Sequence, residues 1–88
     1  MYILTITYNF DGDSTVKKCK TEKEAVKVLN ECLSKEVEAV KNESGYRPSV
    51  LDWSDDDVTL VYAEGYTKEM TDRNYALEDC AYYRVFEV

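Results

Sequence analysis

The chain has 88 residues, 44% of them hydrophobic, with 18 acids against 11 bases, no histidine and a net charge of −7. That is one small domain, residues 1–88, with room for a single core, and its many tyrosines and valines set it apart from disordered chains. Without histidine a Cys/His nucleophile pair is impossible, and three scattered cysteines, Cys19, Cys32 and Cys80, make neither a disulfide framework nor a zinc site of recognised spacing.

The opening MYILTITYNF has no basic leader and alternates, so it reads as a strand rather than a signal peptide. Tyr2, Leu4, Ile6, Tyr8 and Phe10 share one face, with Ile3, Thr5, Thr7 and Asn9 on the other. Asp11-Gly12 then signals a hairpin, and Thr15 to Lys20 forms a second strand whose Lys17, Lys18 and Lys20 mark a solvated edge. Thr21-Glu22-Lys23-Glu24 is a capping box. Beyond it Ala25, Val26, Leu29, Cys32, Leu33, Val37 and Val40 recur at helical spacing, while Lys27, Glu31 and Lys35 can pair on the opposite face. Gly45 is placed as the C-terminal cap, so a helix is predicted from about residue 22 to 43.

Pro48 forbids more helix. Ser49 to Trp53 and Val58 to Ala63 read as two strands, with Val58, Leu60 and Tyr62 on one face and Thr59, Val61 and Ala63 on the other. Residues 64–79 form either a loop or one short helix, and Tyr82 to Val88 is a closing strand. The predicted fold is α+β: order ββαβββ, an antiparallel sheet with one long helix on one face. No run approaches the roughly 18 apolar residues of a membrane span. We expect a soluble, cytoplasmic protein with reduced thiols.

Charge is unevenly spread along the chain. Residues 11–42 hold seven acids and seven bases, whereas residues 43–88 hold eleven acids against four bases. Direct binding to nucleic acid requires a basic stripe that releases counterions, and this field has the opposite sign. The natural complement is a basic protein surface.

The acidic field centres on LDWSDDDV, residues 51–58. As a metal loop it lacks the EF-hand order and its twelfth-position glutamate. As a catalytic carboxylate pair it has no base, nucleophile or phosphate loop beside it. Two readings stay open: a solvated turn, and a docking surface in which carboxylates ring an aromatic anchor. The candidate partner-binding residues are Asp52, Trp53, Asp55, Asp56 and Asp57, with Glu64, Tyr66, Glu69 and Asp72 from the following loop. Tyr46, Tyr66 and Tyr75 lie in predicted loops, where an exposed ring offers contact area at low entropic cost. Asp11 and Asp13 read as hairpin-turn residues. No catalytic residue, metal or cofactor is expected.

In organisation the chain resembles the small acidic accessory proteins of phages and mobile elements, anti-CRISPR proteins among them. The stretches that carry the likeness are LTITYNFDGD, TEKEAVKVL and YALEDCAYYRVFEV. The resemblance implies a non-enzymatic inhibitor that competes with DNA or RNA for a basic channel of a nucleic-acid-binding enzyme. Alternate strand residues stand about 6.6 to 6.8 Å apart, close to the spacing of successive phosphates, so Asp55 and Asp57 are candidates for a phosphate mimic. The other expectation is a small structural domain that pairs with its own copy to form a homodimer.

Overall fold

A computed structural model describes residues 1–71 and 78–88 of the chain. Among these residues lie the strands β1 (Tyr2–Tyr8), β2 (Ser14–Cys19), β3 (Ser49–Ser54), β4 (Asp57–Val61) and β5 (Cys80–Glu87), and the helix α1 (Glu22–Ser44). All strand pairs are antiparallel, in the order β2-β1-β5-β4-β3. The predicted α+β order is therefore present, and the last strand fills the centre of the sheet. Among the described residues of the 64–79 segment lies a single turn of 3-10 helix, Lys68–Met70. A single turn is too short to leave a periodic signature.

The helix ends follow the local chemistry. The Thr21 hydroxyl accepts from the Glu24 amide at 3.1 Å. The Glu24 carboxylate accepts from the Lys20 amide at 3.1 Å, one residue ahead of the Thr21 amide that an ideal capping box would engage. At the far end Gly45 takes φ +80°, where a Cβ would be strained, and its amide donates to the Lys41 carbonyl at 3.0 Å. The β1–β2 connection is a hairpin, as expected, but it spans residues 9–13 and Gly12 does not adopt positive φ. The Asp11 side chain instead closes the turn by accepting from the Asp13 amide at 3.2 Å.

Strand register sorts the side chains onto two faces. Leu4, Ile6, Val58, Leu60, Ala81, Tyr83 and Val85 pack under Ala25, Leu29 and Val37 of α1, with Cys32 and Leu33 half-buried beside them. Where the length predicts a single core, the opposite face carries a second, smaller one of Leu51, Val61, Tyr66 and Cys80, against which Trp53 and Tyr82 pack. The rest of that face is open: Val16 and Phe86 are 56% and 47% exposed. Cys19 and Cys80 are the buried thiols and Cys32 is half-buried. No described helix is long and apolar enough to cross a membrane.

At roughly 1.5 Å per residue, the 23 residues of α1 run about 34 Å. Strands of 5 to 8 residues span at most about 27 Å at roughly 3.4 Å each. The helix therefore outruns the sheet it covers.

Candidate functional site

The acidic stretch forms the tip of the β3–β4 hairpin. Asp55 and Asp56 make the turn between Ser54 and Asp57, which are paired. Among the described residues no non-glycine residue has positive φ, so the tip is not one of the mirror-image turns that fit strand twist by themselves. The register slips between Asp52 and Ser54, with Trp53 as the extra residue, a bulge that bends the strand and re-aims the tip.

The four aspartates have different surroundings. Asp52 and Asp55 are exposed, and Asp56 is half-buried with the Ser54 hydroxyl donating to its carboxylate at 2.6 Å. Asp57 lies on the opposite face from α1, paired with Arg84 at 3.5 Å. It is therefore not part of an exposed run, and the expected Asp55/Asp57 phosphate mimic is corrected: strand pairing turns Asp57 toward Arg84. Glu64 and Glu69 are exposed, and Asp72 lies outside the described residues, as does Tyr75.

Trp53 is neither free nor fully buried. Its indole N–H donates to the Thr59 hydroxyl at 3.0 Å, and the Lys68 ammonium stands 5.4 Å from its ring centroid. The ring supports the hairpin from the second core rather than protruding as an anchor. Tyr66, expected as an exposed loop tyrosine, is 7% exposed. Its hydroxyl donates to the Met70 carbonyl at 3.2 Å and its amide to the Ser49 hydroxyl at 2.9 Å. It folds inward because Gly65, at φ +72°, reverses the chain just before it.

A different concentration of acid appears at the other end of β4. There the overhanging end of α1, the 9–13 connection and Tyr62 enclose a groove of about 650 Å³. Its walls include Asp11, Asp13, Glu36 and Glu43 together with Tyr8, Phe10, Tyr46 and Tyr62. The rings form a row, Tyr8 to Phe10 at 5.6 Å and Phe10 to Tyr62 edge-on at 5.7 Å. The Tyr62 hydroxyl donates to Glu36 at 2.8 Å and the Tyr46 hydroxyl to the Tyr62 carbonyl at 3.2 Å. Burial, and next the hydrogen bond to Glu36, push the Tyr62 phenol far above its ordinary value. Burial does the same for Tyr83.

The residues of this groove are far apart in sequence. The signal that bears on them is the placement of Glu36 and Glu43 seven residues apart, on one side of α1.

Among the described residues no three carboxylate or thiol groups converge where a metal ion could sit. Burial pushes the Cys80 thiol up, away from the thiolate that nucleophilic chemistry needs. No family model, curated protein or solved structure matches the chain, so its functional reading rests on geometry and charge.

Proposed function

We propose that the protein is a non-enzymatic binding module whose β3–β4 tip docks on a basic protein surface, in the manner of an inhibitor of a nucleic-acid-binding enzyme. The observation that supports this reading is the tip itself. Asp55 and half-buried Asp56 form the turn, exposed Asp52 precedes it in β3, and Trp53 and Thr59 brace the hairpin. Four carboxylates thus stand against two cations, Lys68 at the Trp53 ring and Arg84 at Asp57. Carboxylates held this way lose little entropy on meeting a cationic surface, and their field speeds and orients the encounter. Glu64 and Glu69 are also exposed. Trp53 and Tyr66 contribute as supports.

The test is capture of partners at low and high salt, followed by affinity measurement with Asp52, Asp55 and Asp56 all changed to Asn. Asp57 is left intact because of its pair with Arg84. The triple variant should fold like the parent and bind at least about tenfold more weakly. Parent affinity should fall steeply between about 50 and about 300 mM salt, as screening dictates. A Glu31→Gln, Glu38→Gln control on α1 should bind like the parent. Equal binding by parent and triple variant returns the tip to a plain solvated turn.

One observation favours a second reading, self-association. The face of β2, β1 and β5 turned away from α1 leaves Val16 and Phe86 half exposed, and β2 is a free edge. Lys17 and Lys18 would oppose their copies in an edge-to-edge pair, which argues against β2 as the contact. Sedimentation equilibrium separates the two readings: a monomer at micromolar concentration removes the second.

A further inference from the structure

We propose that the groove between the end of α1 and the 9–13 connection receives an arginine side chain from a partner polypeptide. This inference does not rest on the hairpin tip, which lies at the opposite end of β4.

Fold, not local sequence, creates the charge of this groove. Residues 11–42 are neutral overall, yet the fold brings Asp11, Asp13 and Glu36 from that segment together with Glu43. Among the described residues no lysine or arginine lines the groove, and none of these four carboxylates is in an ion pair. The C-terminal end of α1 adds the negative end of its dipole. A cation entering here meets four carboxylates, while Lys17 and Lys35 line the neighbouring hollow on the far side of Tyr8, Glu36 and Ala39.

The rings decide which cation. Phe10 is 52% exposed although Tyr8 and Tyr62 flank it, so an apolar ring is held in place and left facing solvent. A ring face beside carboxylates suits a guanidinium, which stacks on the ring and donates in a planar fork to the acids. An ammonium offers a point charge and is more strongly hydrated. The chain uses this contact within itself, with Arg84 5.1 Å from the Tyr82 ring centroid.

The groove is braced before any partner arrives. Tyr62 is held by Glu36 through its hydroxyl and by the Asp79 carbonyl through its amide at 2.9 Å. Asn9 anchors the start of the connection to β5, accepting from the Cys80 amide at 2.8 Å and donating to the Glu78 carbonyl at 2.9 Å. The volume of about 650 Å³ accommodates one long side chain with its flanking backbone. A bare metal ion fits poorly, because the carboxylates do not converge on a point.

The experiment is an NMR titration of the full chain with three capped peptides of one sequence, carrying arginine, lysine or neutral citrulline at the central position. The arginine peptide should shift the Phe10 and Tyr62 ring resonances saturably. The lysine peptide should bind about threefold or more weakly, and citrulline should not saturate. Phe10→Ala, and separately Asp11→Asn with Asp13→Asn and Glu43→Gln, should each weaken the arginine peptide by at least about fivefold. The Asp52, Asp55, Asp56 triple variant should leave it unchanged. Phe10→Leu guards against a packing effect, since it keeps apolar area without a π face and should behave like Phe10→Ala. Absence of saturable shifts overturns the proposal. So does equal binding of arginine and lysine or citrulline, parent-like binding by Phe10→Leu, or an equal loss in the tip variant.

Discussion

At the scale of single residues, four aspartates that look alike in LDWSDDDV do different work. Asp57 is the structural one. Its side chain is 13% exposed and stands 3.5 Å from Arg84, itself 29% exposed and stacked on Tyr82. A pair between surface and interior is stabilised beyond an exposed one, and removing one partner leaves the other poorly solvated. Asp57→Asn should therefore lower unfolding free energy by about 1 to 2 kcal/mol, while Asp55→Asn stays within about 0.5 kcal/mol. Urea denaturation of the two variants side by side measures the difference. Equal midpoints would remove the distinction. Trp53 makes a similar point, because Trp53→Phe deletes the partner of the Thr59 hydroxyl, a residue 2% exposed. An orphaned buried hydroxyl costs about 1 to 3 kcal/mol, so this variant should melt below the parent even though an aromatic ring remains.

At the scale of elements, the rules that are local proved legible. Thr21 and Gly45 bound α1 as their chemistry demands, and the structure extends the expected 22–43 helix by one residue, to Ser44. The faces of β1 and β4 alternate as their sequences imply. What was not legible is non-local: no periodicity states that β5 inserts between β1 and β4, or that Gly65 folds Tyr66 under the sheet. Fractional burial along the stripe also depends on what lies opposite. Leu29 is fully buried, so Leu29→Ala should cost about 2 to 5 kcal/mol, whereas half-buried Leu33 should cost roughly half of that. Gly45→Ala forces a side chain into the left-handed region and should cost about 1 kcal/mol. Thermal melts of the three variants rank them, and a Leu33→Ala loss as large as that of Leu29→Ala would contradict the packing of α1.

At the scale of the whole molecule, the balance of charge along the chain misled in one respect. Residues 11–42 cancel in sequence, but folding moves Asp11, Asp13 and Glu36 to one groove that none of the segment's lysines lines, Lys17 and Lys35 standing in the adjoining hollow. The same end of the molecule sets its response to alkali. Tyr62 and Tyr83 both pack near Glu36, and burial first, then this carboxylate, raises both phenols above the ordinary value of 10.0. Burial and Glu36 act in the same direction on Tyr8. In the unfolded chain these phenols lose their protons near pH 10, whereas the folded chain retains them. Below that pH both states hold the proton, so stability there does not depend on these groups. Above it the unfolded state is favoured, by at most about 1.4 kcal/mol per pH unit for each tyrosine and by less at half-exposed Tyr62. The protein should keep a flat melting temperature from neutral pH to about pH 8.5 and begin to lose stability there through Cys80, whose buried thiol is also raised. It should fall more steeply above about pH 10 as the phenols titrate. Tyr83→Phe removes one titrating phenol, so its melting temperature should fall less steeply above pH 10 than the parent's, whatever its stability at neutral pH. Circular dichroism melts across the pH series measure both slopes. Parallel curves for parent and variant would show that Tyr83 does not govern the alkaline transition.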